Sequence, residues 1–193
     1  MYILIQLEDR IQISASELNN QKNALEESIS KKYCDKVIKN TGLVISLKQI
    51  LKVLNGKLMY GSGMANFTVT FTLILFRPLK GELMVGKIIE STKNGLKLSL
   101  DFFEDVYVPS YLLYKNSNWN EEEQLWYTNL LDENDNQEEK NKWWYALKSN
   151  VLFRVSNLIF NTNKKENQTP EESEPMVVIA SVQEQGLGVV GWW

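Results

Sequence analysis

The sequence predicts an α+β chain in two units: a strand–helix unit over residues 1–79 and a β-barrel over residues 80–193. Three observations predict it. An apolar first strand leads through a capped helix back into strands. A long alternating run, FTVTFTLILF, stops at Arg77-Pro78. Beyond it lie short strand-like runs separated by turn residues and one long polar insertion.

In the first unit, YILIQLEDRIQI reads as a strand with a polar break at Glu8-Asp9-Arg10. Ser14 and Glu17 have capping-box spacing, in which a hydroxyl accepts from the backbone three residues on and the glutamate reaches back. A helix is expected from Glu17 to about Tyr33, with Leu18, Leu25 and Ile29 on one face and Lys31-Lys32 in its last turn. Strands follow, with turns at Asn40-Thr41-Gly42 and at Asn55-Gly56, a pair that favours a tight hairpin. Phe67, Val69, Phe71, Leu73 and Leu75 then share one face of the cleanest strand. It ends at Pro78, which cannot donate to a ladder.

In the second unit, ELMVGKIIEST, LKLSLDFF and DVYVPSYLL form an expected meander with a turn at Lys93-Asn94-Gly95. An acidic insertion, residues 116–142, comes next. WWYALKSNVLFRVSNLIF and VVIASV are expected as the last two strands. Residues 161–175 between them are polar, charged and proline-bearing, and read as a disordered loop. Five short strands with a long insertion fit a small Greek-key barrel of the OB type.

Composition excludes whole classes of chemistry. There is no histidine and one cysteine, Cys34. No Cys/His metal cluster, intrachain disulfide or histidine-based nucleophile system can be built. No cofactor is expected. A hydrolase would need two converging carboxylates, yet the acidic residues cluster in expected loops. Glu121–Glu123 lacks the loop spacing of a cation site and reads as a solvated face, so no metal is expected. No apolar run approaches the roughly 20 residues that span a bilayer, and the start lacks a secretory pattern. A soluble intracellular chain is expected, with no membrane partner. The net charge of −3 divides as +4 over residues 1–79 and −7 over residues 80–193, which points to different neighbours for the two units. With residues 116–142 and 161–175 set aside, the second unit is near neutral.

The loop Gly61-Ser62-Gly63 enters a strand rather than a helix, and no Lys-Ser/Thr pair follows. A phosphate cradle needs a helix N-terminus there. The loop reads instead as a strand-to-strand turn or as a projecting tip that packs on a partner.

The order of strand, capped helix, strands, Gly-x-Gly tip, FTVTFTLILFRPLKGELMVGKI and barrel resembles the larger stalk subunit of nuclear and archaeal RNA polymerases. Phe76, Pro78, Gly81 and Glu82 match the junction at which a strand ends in Phe-x-Pro and a Gly-Glu pair opens the barrel. Leu79 stands where an aromatic is common, and Tyr60 where a proline often precedes the tip. GLGVVGWW and LSLDFFEDVYVP are similar to the RNA polymerase III branch of the family. The resemblance implies a truncated RNP-like first domain and an OB-fold second domain. It implies a heterodimer with a small helical subunit, docked on the polymerase core, acting in the nucleus in initiation and near single-stranded RNA, with catalysis elsewhere. The equivalent subunit of polymerase II or I is the near alternative. A free OB-fold RNA-binding protein is the more distant one.

By this reading, Tyr60, Gly61, Ser62, Gly63 and Met64 form the docking tip. Lys87 and Lys97, on the first two barrel strands, with Phe102, Phe103 and Tyr107 after them, form the RNA face, since bases stack on aromatics beside cations. Alternation should send one of Phe102 and Phe103 inward. At least one of Trp192 and Trp193 should pack, because two free rings at a chain end are a liability.

Overall fold

The computed structural model describes residues 1–129, 142–161 and 174–193. The chain divides into two compact units, Met1–Arg77 and Pro78–Trp193. The first is a four-stranded antiparallel sheet carrying one helix. Its strands are β1 (Tyr2–Ser14), β2 (Val37–Ile38), β3 (Gly42–Leu58) and β4 (Met64–Phe76), in the order β1-β4-β3-β2.

β4 is the organising strand. Phe67, Val69, Phe71, Leu73 and Leu75 are all buried, and Thr68, Thr70 and Thr72 point the other way. The period of two thus sorts the strand into a core face and a polar face. β1 pairs with β4 along its whole length. Its Ile11 and Ile13 join the core, as do Ala24, Leu25 and Ile29 of the helix α1 (Gln21–Tyr33).

The expected polar break in β1 does not occur. Glu8 and Arg10 fall on the polar face, so only Asp9 enters the apolar stripe. There it accepts a hydrogen bond from Lys32 Nζ at 2.5 Å and a short one from the Tyr33 hydroxyl. A charge on the core face is tolerated when it is paired and bonded. The helix also differs at its start. Ser14 and Glu17 do form a capping box, but Ala15–Asn20 is 3-10 helix. Three residues per turn carries Leu18 out of register with the α face, and Leu18 is exposed.

The expected turn at Asn55-Gly56 is replaced by a bulge. β3 runs on to Leu58, with a register shift between Leu54 and Lys57. A Cβ on Gly56 would lie 2.3 Å from the Phe67 ring, so the glycine serves close approach of an aromatic rather than a turn.

The second unit holds a closed five-stranded barrel. β5 (Leu83–Thr92), β6 (Gly95–Ser99) and β7 (Val106–Pro109) form the meander, and β11 (Asn150–Phe160) and β12 (Met176–Ser181) complete it. β11 pairs antiparallel with β5 and with β12, and β12 pairs parallel with β7, which closes the ring. This is the OB-fold connectivity. Met84, Ile88, Leu96, Leu98, Val106 and Phe153 fill its interior. A second, three-stranded sheet is built from the insertion and the residues just after it: β8 (Ser117–Asn120), β9 (Leu125–Asn129) and β10 (Lys142–Trp144). The expected disordered loop falls mainly on 162–173, outside the described residues, as does 130–141 of the acidic insertion.

Three expected strands are shorter than read. β6 stops at Ser99 because Asp101 adopts φ +68° and its N–H is taken by Ser99 Oγ at 3.1 Å. Ser110–Leu112, expected to continue β7, is a 3-10 turn. WWYALKSNVLFRVSNLIF divides into β10 and β11, because Lys148 at φ +67° breaks it. The short β13 (Gly188–Val189) pairs with β11, and a final 3-10 turn carries Trp192. The Trp192 ring meets Tyr145 at 4.8 Å and Trp143 at 5.9 Å, edge-on in both cases. Trp193 remains 61% exposed.

The Asp9 cluster links this packing to pH. Burial alone pushes the Asp9 carboxyl up, but the bonds from Lys32, Tyr33 and the Arg10 backbone outweigh it and hold it below 3.8. Burial, then the Asp9 carboxylate, pushes the Tyr33 hydroxyl up to about 12. Tyr33→Phe should cost about 1 kcal/mol at neutral pH, kept small because the Asp9 side chain is 26% exposed. Asp9's share is present above pH 3.8 and lost as pH falls through its folded value. Tyr33's share is complete below pH 10.0 and lost as pH rises toward about 12. Urea unfolding of both proteins across pH should show a gap that narrows at both ends. A gap independent of pH would deny the bond its role.

Candidate interaction surfaces of the hairpin tip and the barrel

The turn between β3 and β4 is Met59–Gly63. The Met59 N–H donates to the Met64 carbonyl at 2.9 Å and closes it. The Ser62 hydroxyl donates to the Met59 carbonyl at 3.2 Å, and Ser62 Oγ accepts from the Met64 N–H at 3.3 Å. Gly61 and Gly63 have φ of +79° and +62°, with no neighbour within 4 Å of where a Cβ would sit. The glycines therefore serve the backbone angles that the turn requires. Tyr60 is fully exposed, and Leu58 and Met59 beside it are exposed too. The five expected tip residues lie together, four of them in the turn and Met64 at the start of β4.

The barrel residues are less uniform. Lys97 lies directly across from Tyr107, on β6 and β7. Its ammonium is 5.4 Å from the Tyr107 ring centroid and 3.7 Å from Asp105 Oδ1. Burial alone would lower the Lys97 pKa, but the nearby Tyr107 and acidic groups raise it, so the cation is retained. Asp105 is pushed up, first by burial and then by Glu174. Lys97 thus sits on a half-buried face partly neutralised by its own neighbour. Lys87 is exposed on β5 opposite Ser99, which places it on the same outward face as Lys97.

Phe102 and Phe103 are in the β6–β7 turn rather than on a strand. Phe102 is 48% exposed, whereas Phe103 is 6% exposed and belongs to the core. Phe103 offers no ring face to a base and is removed from the expected RNA set. The strand that alternation assumed has already ended at Ser99.

Sequence reasoning missed the face made by β9 and β10. Tyr127 and Trp144 rings meet at 5.1 Å, and the Lys142 ammonium lies 5.2 Å from the Tyr127 centroid. The paired tryptophans Trp143-Trp144 were a signal for it, since adjacent strand residues point to opposite faces. Among the described residues no Asp/Glu/Cys cluster could hold a metal. Among the same residues no helix is long and apolar enough to cross a membrane. A groove of about 520 Å³ in the first unit is lined by Arg10, Ile11, Gln12, Ser28, Lys32 and Asn66. It presents no pair of carboxylates, so the hydrolase alternative has no support there.

Comparison with known proteins decides the family. The profile described as RNA polymerase III subunit Rpc25 matches residues 82–193, more than half of the chain. The chain belongs to the RNA polymerase III subunit Rpc25 family. A second profile, the SHS2 domain found in the N terminus of Rpb7p/Rpc25p/MJ0397, matches residues 8–63. The chain is 31% identical over 204 residues to DNA-directed RNA polymerase III subunit rpc8 of Schizosaccharomyces pombe, covering 100% of both. It is 30% identical to the protein of that name from Dictyostelium discoideum, covering 100% of this chain and 85% of that one. DNA-directed RNA polymerase subunit Rpo7 of Saccharolobus shibatae is 28% identical over 102 residues, 52% of this chain and 56% of that one. Within this Rpc25-family chain, the RNP-like unit is thus an SHS2 domain, and the barrel is the part matched by the Rpc25 profile.

The two phenylalanines test the revised surface. Phe103→Ala should destabilise the fold by about 3–5 kcal/mol, as large core truncations do. Phe102→Ala should stay within about 1 kcal/mol. Thermal melts of the two variants separate the roles, and equal losses would place Phe102 in the core as well.

Proposed function

We propose that this chain is a non-catalytic stalk subunit of DNA-directed RNA polymerase III, working in the nucleus. The observation that carries the reading is similarity running through both units to proteins named as subunits of that enzyme, with the Rpc25 profile reaching Trp193. That profile favours polymerase III over the equivalent subunits of polymerases II and I. The chain pairs with a small helical subunit, and the heterodimer docks on the polymerase core to support initiation.

The tip supplies the docking contact. Tyr60 and Met59 suit the centre of an interface, where aromatics and methionine are enriched. The barrel supplies a surface for single-stranded RNA, with Tyr107, Phe102, Lys97 and Lys87 on its outside. Each stacked base contributes roughly 1–3 kcal/mol. The Asp105 carboxylate beside Lys97 keeps this affinity modest and salt-sensitive. A free OB-fold RNA-binding protein would lack a dedicated polymerase partner.

Affinity purification of the tagged chain from its own cells, with mass spectrometry, should recover polymerase III large subunits and one small helical protein. Recovery of another polymerase, or of none, overturns the assignment. Tyr60→Ala should lower polymerase recovery about tenfold or more, the scale of a buried aromatic anchor, without changing the melting temperature. The purified heterodimer should bind single-stranded RNA with an affinity that falls steeply as salt rises, because phosphate contacts release counterions. Salt-independent binding would argue against phosphate contact.

A further inference from the structure

Most of the outer edge of β3 is uncovered by any strand among the described residues. β2 pairs only with Gly42 and Leu43, and Val44 is held by the backbone of Asp35 and Lys36. From Ile45 to Leu58 the outer edge has no strand partner among the described residues. Leu51, Val53, Leu54 and Leu58 are exposed there, at 47%, 40%, 40% and 69%. Long uncovered aliphatic edges are aggregation sites unless they are blunted or occupied.

The edge is blunted in two ways. Register shifts interrupt β3 at four places, so no long flat stretch remains to accept an added strand. Lys48, Lys52 and Lys57 are spaced along it and exposed. None is in an ion pair among the described residues. No Asp or Glu occurs anywhere from Lys36 to Arg77, while Lys36, Lys39, Lys48, Lys52, Lys57 and Arg77 do. The carboxylates of this unit lie instead on β1, around the helix and at Asp35. The sheet therefore has one basic edge, and the exposed apolar groups along that edge are aliphatic.

We infer that the outer edge of β3, from Lys48 to Leu58, is a docking surface for an acidic, aliphatic-rich polypeptide segment belonging to another subunit of the polymerase. Charge complementarity selects the partner. A second copy of this chain would bring lysines against lysines, and like charges facing each other disfavour that pairing. Nucleic acid fits the charge but not the surface. Single strands are held by aromatic stacking and arginine planes, and β3 has neither residue type. Aliphatic groups between lysines suit a protein that places carboxylates on the ammonium groups and its own aliphatic side chains between them. The surface adjoins the Met59–Gly63 turn at Leu58 and extends back from it to Lys48, so the chain docks through a broad edge as well as a point. The inference rests on the reading that the chain works inside polymerase III.

The test uses the polymerase purified through the tagged full-length chain. A carbodiimide couples a lysine amine to a carboxylate without a spacer, so it reports direct ion pairs. We expect isopeptide links from at least one of Lys48, Lys52 and Lys57 to an Asp or Glu of another subunit. Lys48→Glu/Lys52→Glu/Lys57→Glu should then lower polymerase recovery by about tenfold, and single Lys52→Glu by less, both with wild-type melting temperature. Links from other lysines of this chain but none from these three overturn the inference, as does full recovery with the triple variant. Loss of binding to a 30-nucleotide single-stranded RNA, with polymerase recovery intact, makes the edge a nucleic-acid surface and also overturns it. If the wild-type chain brings down no polymerase, the proposed function itself fails and the inference falls with it.

Discussion

The parallel pairing of β7 with β12 is the interaction on which the second unit depends. It joins the two ends of an otherwise open sheet, so that each barrel strand has a partner on both sides. Full closure is the one arrangement that removes strand edges. Once closed, the barrel can present polar and charged groups outward without exposing backbone. Lys97 and Tyr107 face each other on its outside because β6 and β7 are held in register from both sides. The first unit has no such closure. Its sheet ends in β1 on one side and, beyond the short β2, in the outer edge of β3 on the other, where bulges and lysines manage what hydrogen bonds do not.

That contrast explains why the two units carry different kinds of surface. A closed barrel offers a face whose specificity comes from side chains set on a rigid frame. An open hairpin offers reach. β3 and β4 are long for strands of globular proteins, whose mode is about 5–6 residues, and they end in a turn with Tyr60 at its exposed tip. The core beneath them is secured by β4, whose inward face is buried from Ala65 to Leu75. The stiffness of these strands thus comes from pairing on both sides of β4, while exposed groups are left on the turn and on the outer strand.

Much of this was legible in the sequence, where period and chemistry agreed. The alternation of Phe67 to Leu75 specified a half-buried strand without ambiguity, and the Ser14/Glu17 capping box marked the helical start. The errors have physical causes. Asp9 looked like a strand breaker because its partners Lys32 and Tyr33 are more than twenty residues away, and only the fold brings them together. Asn55-Gly56 looked like a hairpin because the motif normally serves a turn, whereas here Gly56 makes room for the Phe67 ring. Phe102 and Phe103 looked like strand residues because a left-handed Asp101 is invisible to periodicity. The Gly61–Gly63 turn was legible because its glycines and serine set a local backbone geometry. The positions of the barrel residues were legible only in part, because their register is set by pairings distant in sequence.

The β3 edge belongs to a third category, in which the signal was present but is not periodic. A stretch without carboxylates says little until the fold puts its lysines along one uncovered strand. The same lysines on β4 would be flanked by strands on both sides. On β3 they have no counter-ion among the described residues, beside aliphatic groups that gain from burial at roughly 25 cal/mol per Å². Lysine tolerates water well, so the charges alone do not require a partner. The aliphatic groups alone would invite indiscriminate association. Together they make association conditional on carboxylates being brought, and that condition turns an exposed edge into a selective one.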